Sequence, residues 1–154
     1  MDHFEGVATG HVSASPGSVF ELVTDIARLP EWNSCIPSIV EAPASLAPGN
    51  EWVVKIRVPG LPPWNSRSRV EEYDPDGLRF TYRTQTDDGN PSYAVWTWAL
   101  QPEDDGTLVS VGWEVNPKTF WRKHLFAPML RRRQLEGEVA ASIAALERVL
   151  GSTA

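Results

Sequence analysis

The residues best equipped for chemistry in this chain lie in strand-like runs and not in a compact motif. Arg69 and Glu71 stand two apart in the run Ser66 to Tyr73, so an extended chain turns both to one face. A guanidinium is a fixed fork of donors, suited to an enolate or carboxylate. A carboxylate beside it can be its ion-pair partner or a proton acceptor. The opposite parity, Ser66, Ser68, Val70 and Glu72, is the other candidate for the inward face. The Arg69 face also holds Arg67 and Tyr73, and two arginines with a glutamate also suit a solvated outer face, so the strand alone leaves the choice open. Tyr82 and Thr84 share a face with Leu78 and Phe80 in the next run, Leu78 to Thr86, and would carry two hydroxyls to the same interior.

Other chemistries lack their residues. The sequence has no Gly-rich phosphate loop, no Cys-x-x-Cys, no paired-histidine zinc motif and no Gly-x-Ser-x-Gly elbow. His3, His11 and His124 are far apart. Cys35, the single cysteine, has no histidine placed near it and reads as a small buried hydrophobe. Any reaction is therefore expected to run without metal or cofactor. The net charge of -6 argues against a broad electrostatic affinity for nucleic acid. The exception is local: Arg122, Lys123 and His124, then Arg131 to Arg133. That segment suits a solvated basic helix face, with membrane contact at most peripheral. No run approaches eighteen apolar residues, so no transmembrane segment is expected. The opening Met1-Asp2-His3-Phe4-Glu5 has no apolar core of a secretory leader, and a lone cysteine fits a reducing compartment, so a cytoplasmic protein is expected.

Seven tryptophans in 154 residues point to large apolar walls. On Ser92 to Gln101, Ala94, Trp96, Trp98 and Leu100 share one face, which must be the buried one. It is either packed core or a flat aromatic wall. Val109, Val111, Trp113 and Val115 form the corresponding face of Thr107 to Asn116.

The elements that hold these faces follow in order. Phe4 to Ser13 reads as a strand. Ser15 caps a helix with Pro16 in its first turn and Val19, Phe20, Leu22, Val23 and Ile26 on its apolar side. Pro30 is expected to stop it, and Glu31 to Ile36 forms a second short helical turn. Strands are expected over Ile39 to Ala42, Trp52 to Val58, and the four runs above. Their turns, such as Asp74-Pro75-Asp76-Gly77 and Glu103-Asp104-Asp105-Gly106, are short enough for an antiparallel meander. The last segment, Phe120 to Leu150, is the longest helical one. Leu135, Val139, Ile143, Leu146 and Leu150 fall on one face, with Glu138, Glu147 and Arg148 away from it. Arg132 interrupts the stripe where Pro128, Leu125 and Trp121 continue it. Its cation either snorkels to water or points at the mouth of a cavity, where it would select anionic ligands.

This order resembles the helix-grip layout of the START-like (SRPBCC, Bet v 1-like) superfamily. The strings Val19 to Trp32, Val70-Glu71-Glu72-Tyr73-Asp74-Pro75, Val95-Trp96-Thr97-Trp98, Gly106-Thr107 and the ending Leu125 to Leu150 resemble its polyketide cyclase/dehydrase branch. The resemblance spans nearly the whole chain and implies one α+β domain over 1–154. In it, a curved antiparallel sheet of about seven strands wraps a long C-terminal helix, two short helices follow the first strand, and a deep cavity lies between. It also implies a pocket role for Trp96. The family cyclases' pocket arginine falls here at Glu71, with Arg69 two residues earlier. Their pocket tyrosine falls at Ile36, beside Trp32, Asn33 and Cys35. Both departures count against a direct transfer of cyclase catalysis. Leu61 and Trp64, at the tip of the apolar loop Pro59 to Trp64, are candidates for a lid that Trp121 and Phe126 would meet.

The expected function is thus binding of a hydrophobic or aromatic small molecule, with a cofactor-free cyclase/dehydrase-like reaction open. The alternatives are lipid or isoprenoid transfer and a co-chaperone-like interaction module. The candidate ligand contacts are Trp96, Trp98, Tyr82, Thr84, Trp113, Arg132, Trp32, Leu61 and Trp64, with Arg69 and Glu71 as catalytic candidates.

Overall fold

The computed structural model describes residues 4–89, 91–116 and 132–151, with side chains over 5–89, 91–116 and 136–150. Strand β1 (Phe4–Val12) leads into α1 (Pro16–Thr24), a 3-10 turn (Ile26–Arg28) and α2 (Leu29–Trp32). Six strands follow: β2 (Ser38–Glu41), β3 (Glu51–Ile56), β4 (Trp64–Asp74), β5 (Arg79–Thr86), β6 (Tyr93–Glu103) and β7 (Gly106–Asn116). The chain closes with α3 (Arg132–Gly151). All seven strands form one antiparallel sheet in the order β1-β7-β6-β5-β4-β3-β2. From β2 to β7 this is a meander, as the short turns require. Only β1 leaves sequence order, crossing to the far edge to pair with β7.

The Ser15 hydroxyl accepts from the Ser18 N–H at 3.2 Å, and Pro16 occupies the first turn of α1, as the sequence dictates. Pro30 acts differently from the expectation. The helix already ends at Thr24, whose hydroxyl donates to the Phe20 carbonyl at 2.8 Å, and Asp25 turns extended. Pro30 instead sits in the first turn of α2, where its missing N–H is not needed. Buried Thr107 donates to the Ala14 carbonyl at 2.7 Å, fixing the β1–α1 link over β7.

Helix α3 lies against β1 and the two short helices. Val139, Ile143 and Leu146 of the expected stripe are buried, joined by Ser142 and Ala145. Gly10 permits the approach to β1: a Cβ there would stand 2.7 Å from Ile143 Cγ2. Glu147 is not simply solvated, because its carboxylate accepts the backbone N–H of Ser13 at the end of β1. The Leu135 and Arg132 side chains, and the expected helical stretch before Arg132, lie outside the described residues.

Candidate functional site

The strands alternate, so each sends every second residue inward, and a long curved sheet with one helix leaning on its β1 end cannot be filled everywhere. A cavity of about 740 Å³ remains between α3, the short helices and strands β3 to β6. Trp52, Val54 and Ile56 of β3 line one side, Phe80 and Tyr82 of β5 the floor, and Trp96 and Trp98 of β6 the next wall. Val23, Ile26, Leu29, Trp32 and Ile36 close it from the short helices, and Val139 and Ser142 from α3. The loop after β3 contributes Pro59, Gly60, Leu61 and Pro62.

The aromatic rings brace one another around this space. Trp32 meets Trp98 edge-on at 5.4 Å, and Trp52 meets Tyr82 edge-on at 5.2 Å and stacks with Phe80 at 6.0 Å. Such pairs add to the apolar burial and hold the rings in place. Polar groups interrupt these walls, and some of them are grouped. Ser66, Ser68 and Thr84 join their hydroxyls, with 2.6 Å between Ser66 and Thr84 and 3.1 Å between Ser68 and Thr84. Trp98 donates its indole N–H to the Tyr82 hydroxyl at 3.4 Å. Tyr82 borders the cavity and so keeps some accessible surface, but its hydroxyl lies deep in the protein. Burial pushes the phenol up to about 12, the Trp98 hydrogen bond acting weakly in the other direction. It is therefore a neutral O–H across the physiological range. Asp88 and Glu138 also border the cavity, the latter from a helix position expected to point away from the core.

Of the expected ligand contacts, Trp96, Trp98, Tyr82, Thr84, Trp32, Leu61 and Trp64 all line this one cavity. Trp64 does so as the first residue of β4, paired with Ile56, and not as a loop tip. Trp113 does not line it. Its parity is inward, but it pairs with Gly6 on β1 and fills the space a side chain there would take: a Cβ on Gly6 would stand 2.5 Å from its ring. With Trp96 at 5.9 Å it forms a packed layer behind the wall.

The face of β4 resolves against Arg69 and Glu71. Ser66, Ser68 and Val70 are buried, whereas Arg69 and Glu71 are exposed on the outer side, away from the cavity. Arg67 shows why that side suits water: it gathers Glu41, Glu51 and Asp87 at 3.3, 3.2 and 2.9 Å on the solvated surface. A register shift between Val70 and Glu72 then brings Tyr73 to the side of α1, where it stacks on Phe20 at 5.9 Å while its outer part stays exposed. Trp52 and Ser142 are cavity residues that the sequence does not single out; the alternation Trp52-Val54-Ile56 is a signal for Trp52, and Ser142 has none. Ser66 and Ser68 lie on the β4 parity that the sequence offers as the alternative inward face.

Among the described residues no group of three or more His, Cys, Asp or Glu is gathered to hold a metal, and no helix is long and apolar enough to cross a membrane.

A family model described as polyketide cyclase/dehydrase and lipid transport matches residues 3–151. The chain belongs to this family. Among solved structures, Ara h 8.0201 is 16% identical with a TM-score of 0.77, the match covering 97% of this chain and 99% of that one. TTHA0849 from Thermus thermophilus is 20% identical with a TM-score of 0.74, covering 98% and 100%. The di-domain ARO/CYC StfQ from the steffimycin biosynthetic pathway is 11% identical with a TM-score of 0.74, covering 95% of this chain and 50% of that one. At these identities the likeness shows a shared fold, the SRPBCC helix grip. No curated protein matches the chain.

Proposed function

We propose that this protein binds a hydrophobic or aromatic small molecule in the cavity between α3 and the sheet, as a binding or transfer protein. The observation that carries the reading is the cavity itself. Its volume of about 740 Å³ falls in the range of small-molecule sites, roughly 300–1,000 Å³. Its walls are largely indole, phenyl and aliphatic carbon, with a minority of polar groups, which is the composition of a site for an apolar ligand. The family description names lipid transport beside cyclase and dehydrase, and supports a carrier as well as an enzyme.

A second reading, a cofactor-free cyclase/dehydrase-like enzyme, is favoured by one observation. The Tyr82 O–H, held neutral within an aromatic wall, is suited to donate to a substrate carbonyl. Binding is preferred because the arginine and glutamate proposed for proton handling lie outside the cavity. Native mass spectrometry of the protein purified from its own host tests the proposal. An added mass of one small molecule per chain supports it. A bare chain that also shows no shift with added apolar aromatics opposes it.

A further inference from the structure

We infer that the ligand carries a hydroxyl donor and a neutral oxygen acceptor on one apolar frame, read respectively by the Ser66–Ser68–Thr84 cluster and by Tyr82. The inference rests on the proposal that the cavity binds a ligand, and it comes from counting protons. A hydroxyl has one proton to give and two lone pairs to receive with. Ser68 donates to Thr84 at 3.1 Å. Ser66 and Thr84 share a contact of 2.6 Å, and Ser66 also reaches the Gln85 carbonyl at 3.4 Å. One arrangement uses every proton: Ser68 to Thr84, Thr84 to Ser66, Ser66 to the Gln85 carbonyl. The cluster then has no proton left for a ligand. It does have lone pairs, on Ser68 above all, whose oxygen accepts from no group among the described residues.

Tyr82 is the complement. Its oxygen already accepts from the Trp98 indole, and among the described residues its proton has no acceptor. It offers a donor where the cluster offers an acceptor. The two sites belong to neighbouring inward positions: Tyr82 and Thr84 are two apart on β5, and Ser68 pairs with Thr84. Their backbone origins are about 7 Å apart, and the Tyr82 hydroxyl stands beside the Trp98 indole in the cavity wall. A ligand bearing a ketone at one end and a phenol or alcohol on the order of 7 Å away meets both. A pure hydrocarbon, or a molecule with acceptors alone, leaves one site unmatched.

Three naphthalene probes separate the terms: 6-hydroxy-2-acetylnaphthalene, which has both groups; 2-acetylnaphthalene, which lacks the donor; and 6-ethyl-2-naphthol, which lacks the carbonyl. Binding is followed by quenching of tryptophan emission, with thermal melts as the folding control. The hydroxy-ketone is expected to bind roughly two- to tenfold more tightly than either partner, the scale of one neutral hydrogen bond. Ser68→Ala/Thr84→Val should erase its advantage over 2-acetylnaphthalene only. Tyr82→Phe should erase its advantage over 6-ethyl-2-naphthol only. Equal, saturable binding of all three probes to the unmodified protein overturns the inference and leaves the cavity's role standing. So does a Tyr82→Phe variant that weakens all three alike. No saturable binding by a folded protein overturns both.

Discussion

Leu146 is the side chain on which the grip of α3 depends most. It is 0% exposed, sits in the buried stripe with Val139 and Ile143, and does not border the ligand cavity. Leu146→Ala therefore opens a separate void that neither water nor a ligand relieves. Buried Leu→Ala changes cost about 2–5 kcal/mol, rising with the volume that fails to collapse. Complete burial between a helix and a sheet puts this site in the upper half of that range. Arg148, two residues on and exposed, should change stability by no more than about 0.5 kcal/mol when replaced by alanine. Urea unfolding followed by far-ultraviolet circular dichroism gives both numbers. At a slope of about 2 kcal/mol per M, the Leu146→Ala midpoint should fall by roughly 1.7–2.5 M, while Arg148→Ala moves little. Equal midpoints for the two variants would refute the helix orientation described above.

Two further outcomes follow from named contacts. Gly10→Ala should destabilise by about 1–3 kcal/mol, because its methyl would overlap Ile143 Cγ2. Adding Ile143→Ala should cost less in the Gly10→Ala background than in the unmodified protein, a coupling that a double-mutant cycle in denaturant measures. Tyr82, pushed up to about 12 from an ordinary 10, holds its proton in the folded state where the unfolded chain has lost it. Its contribution to stability is thus fully present below pH 10 and is lost as pH rises through about 12. Tyr82→Phe should flatten that part of the stability–pH curve and remove a phenolate absorbance component ionising near pH 12.

The legible parts of this protein were those where size and polarity change together along a strand. On β5 and β6 the large apolar residues fall on one parity, so Tyr82, Thr84, Trp96 and Trp98 could be placed in the cavity from alternation. On β4 the inward residues before Val70 are two serines, and a register shift reverses parity before Tyr73, so alternation carried no direction. Trp113 has the correct parity but the wrong neighbour. Only the pairing with Gly6, which alternation along one strand does not show, reveals that the indole fills a gap in β1 and stays out of the cavity. Pro30 is a start and not the stop that its position after the first helix suggests, since proline suits a first helical turn as well as the end of a preceding helix.

The central claim is that ligands enter the space between α3 and the sheet, and not some exposed apolar patch. Ala94 borders that space from β6, so Ala94→Trp adds an indole inside it. The decisive measurement is a fluorescence titration of both proteins with N-phenyl-1-naphthylamine, a neutral apolar fluorophore, with thermal melts checking that both are folded. The account predicts saturation at one molecule per chain in the unmodified protein and loss of that binding in Ala94→Trp. Binding of the same strength and stoichiometry in both would place the ligand elsewhere and contradict it.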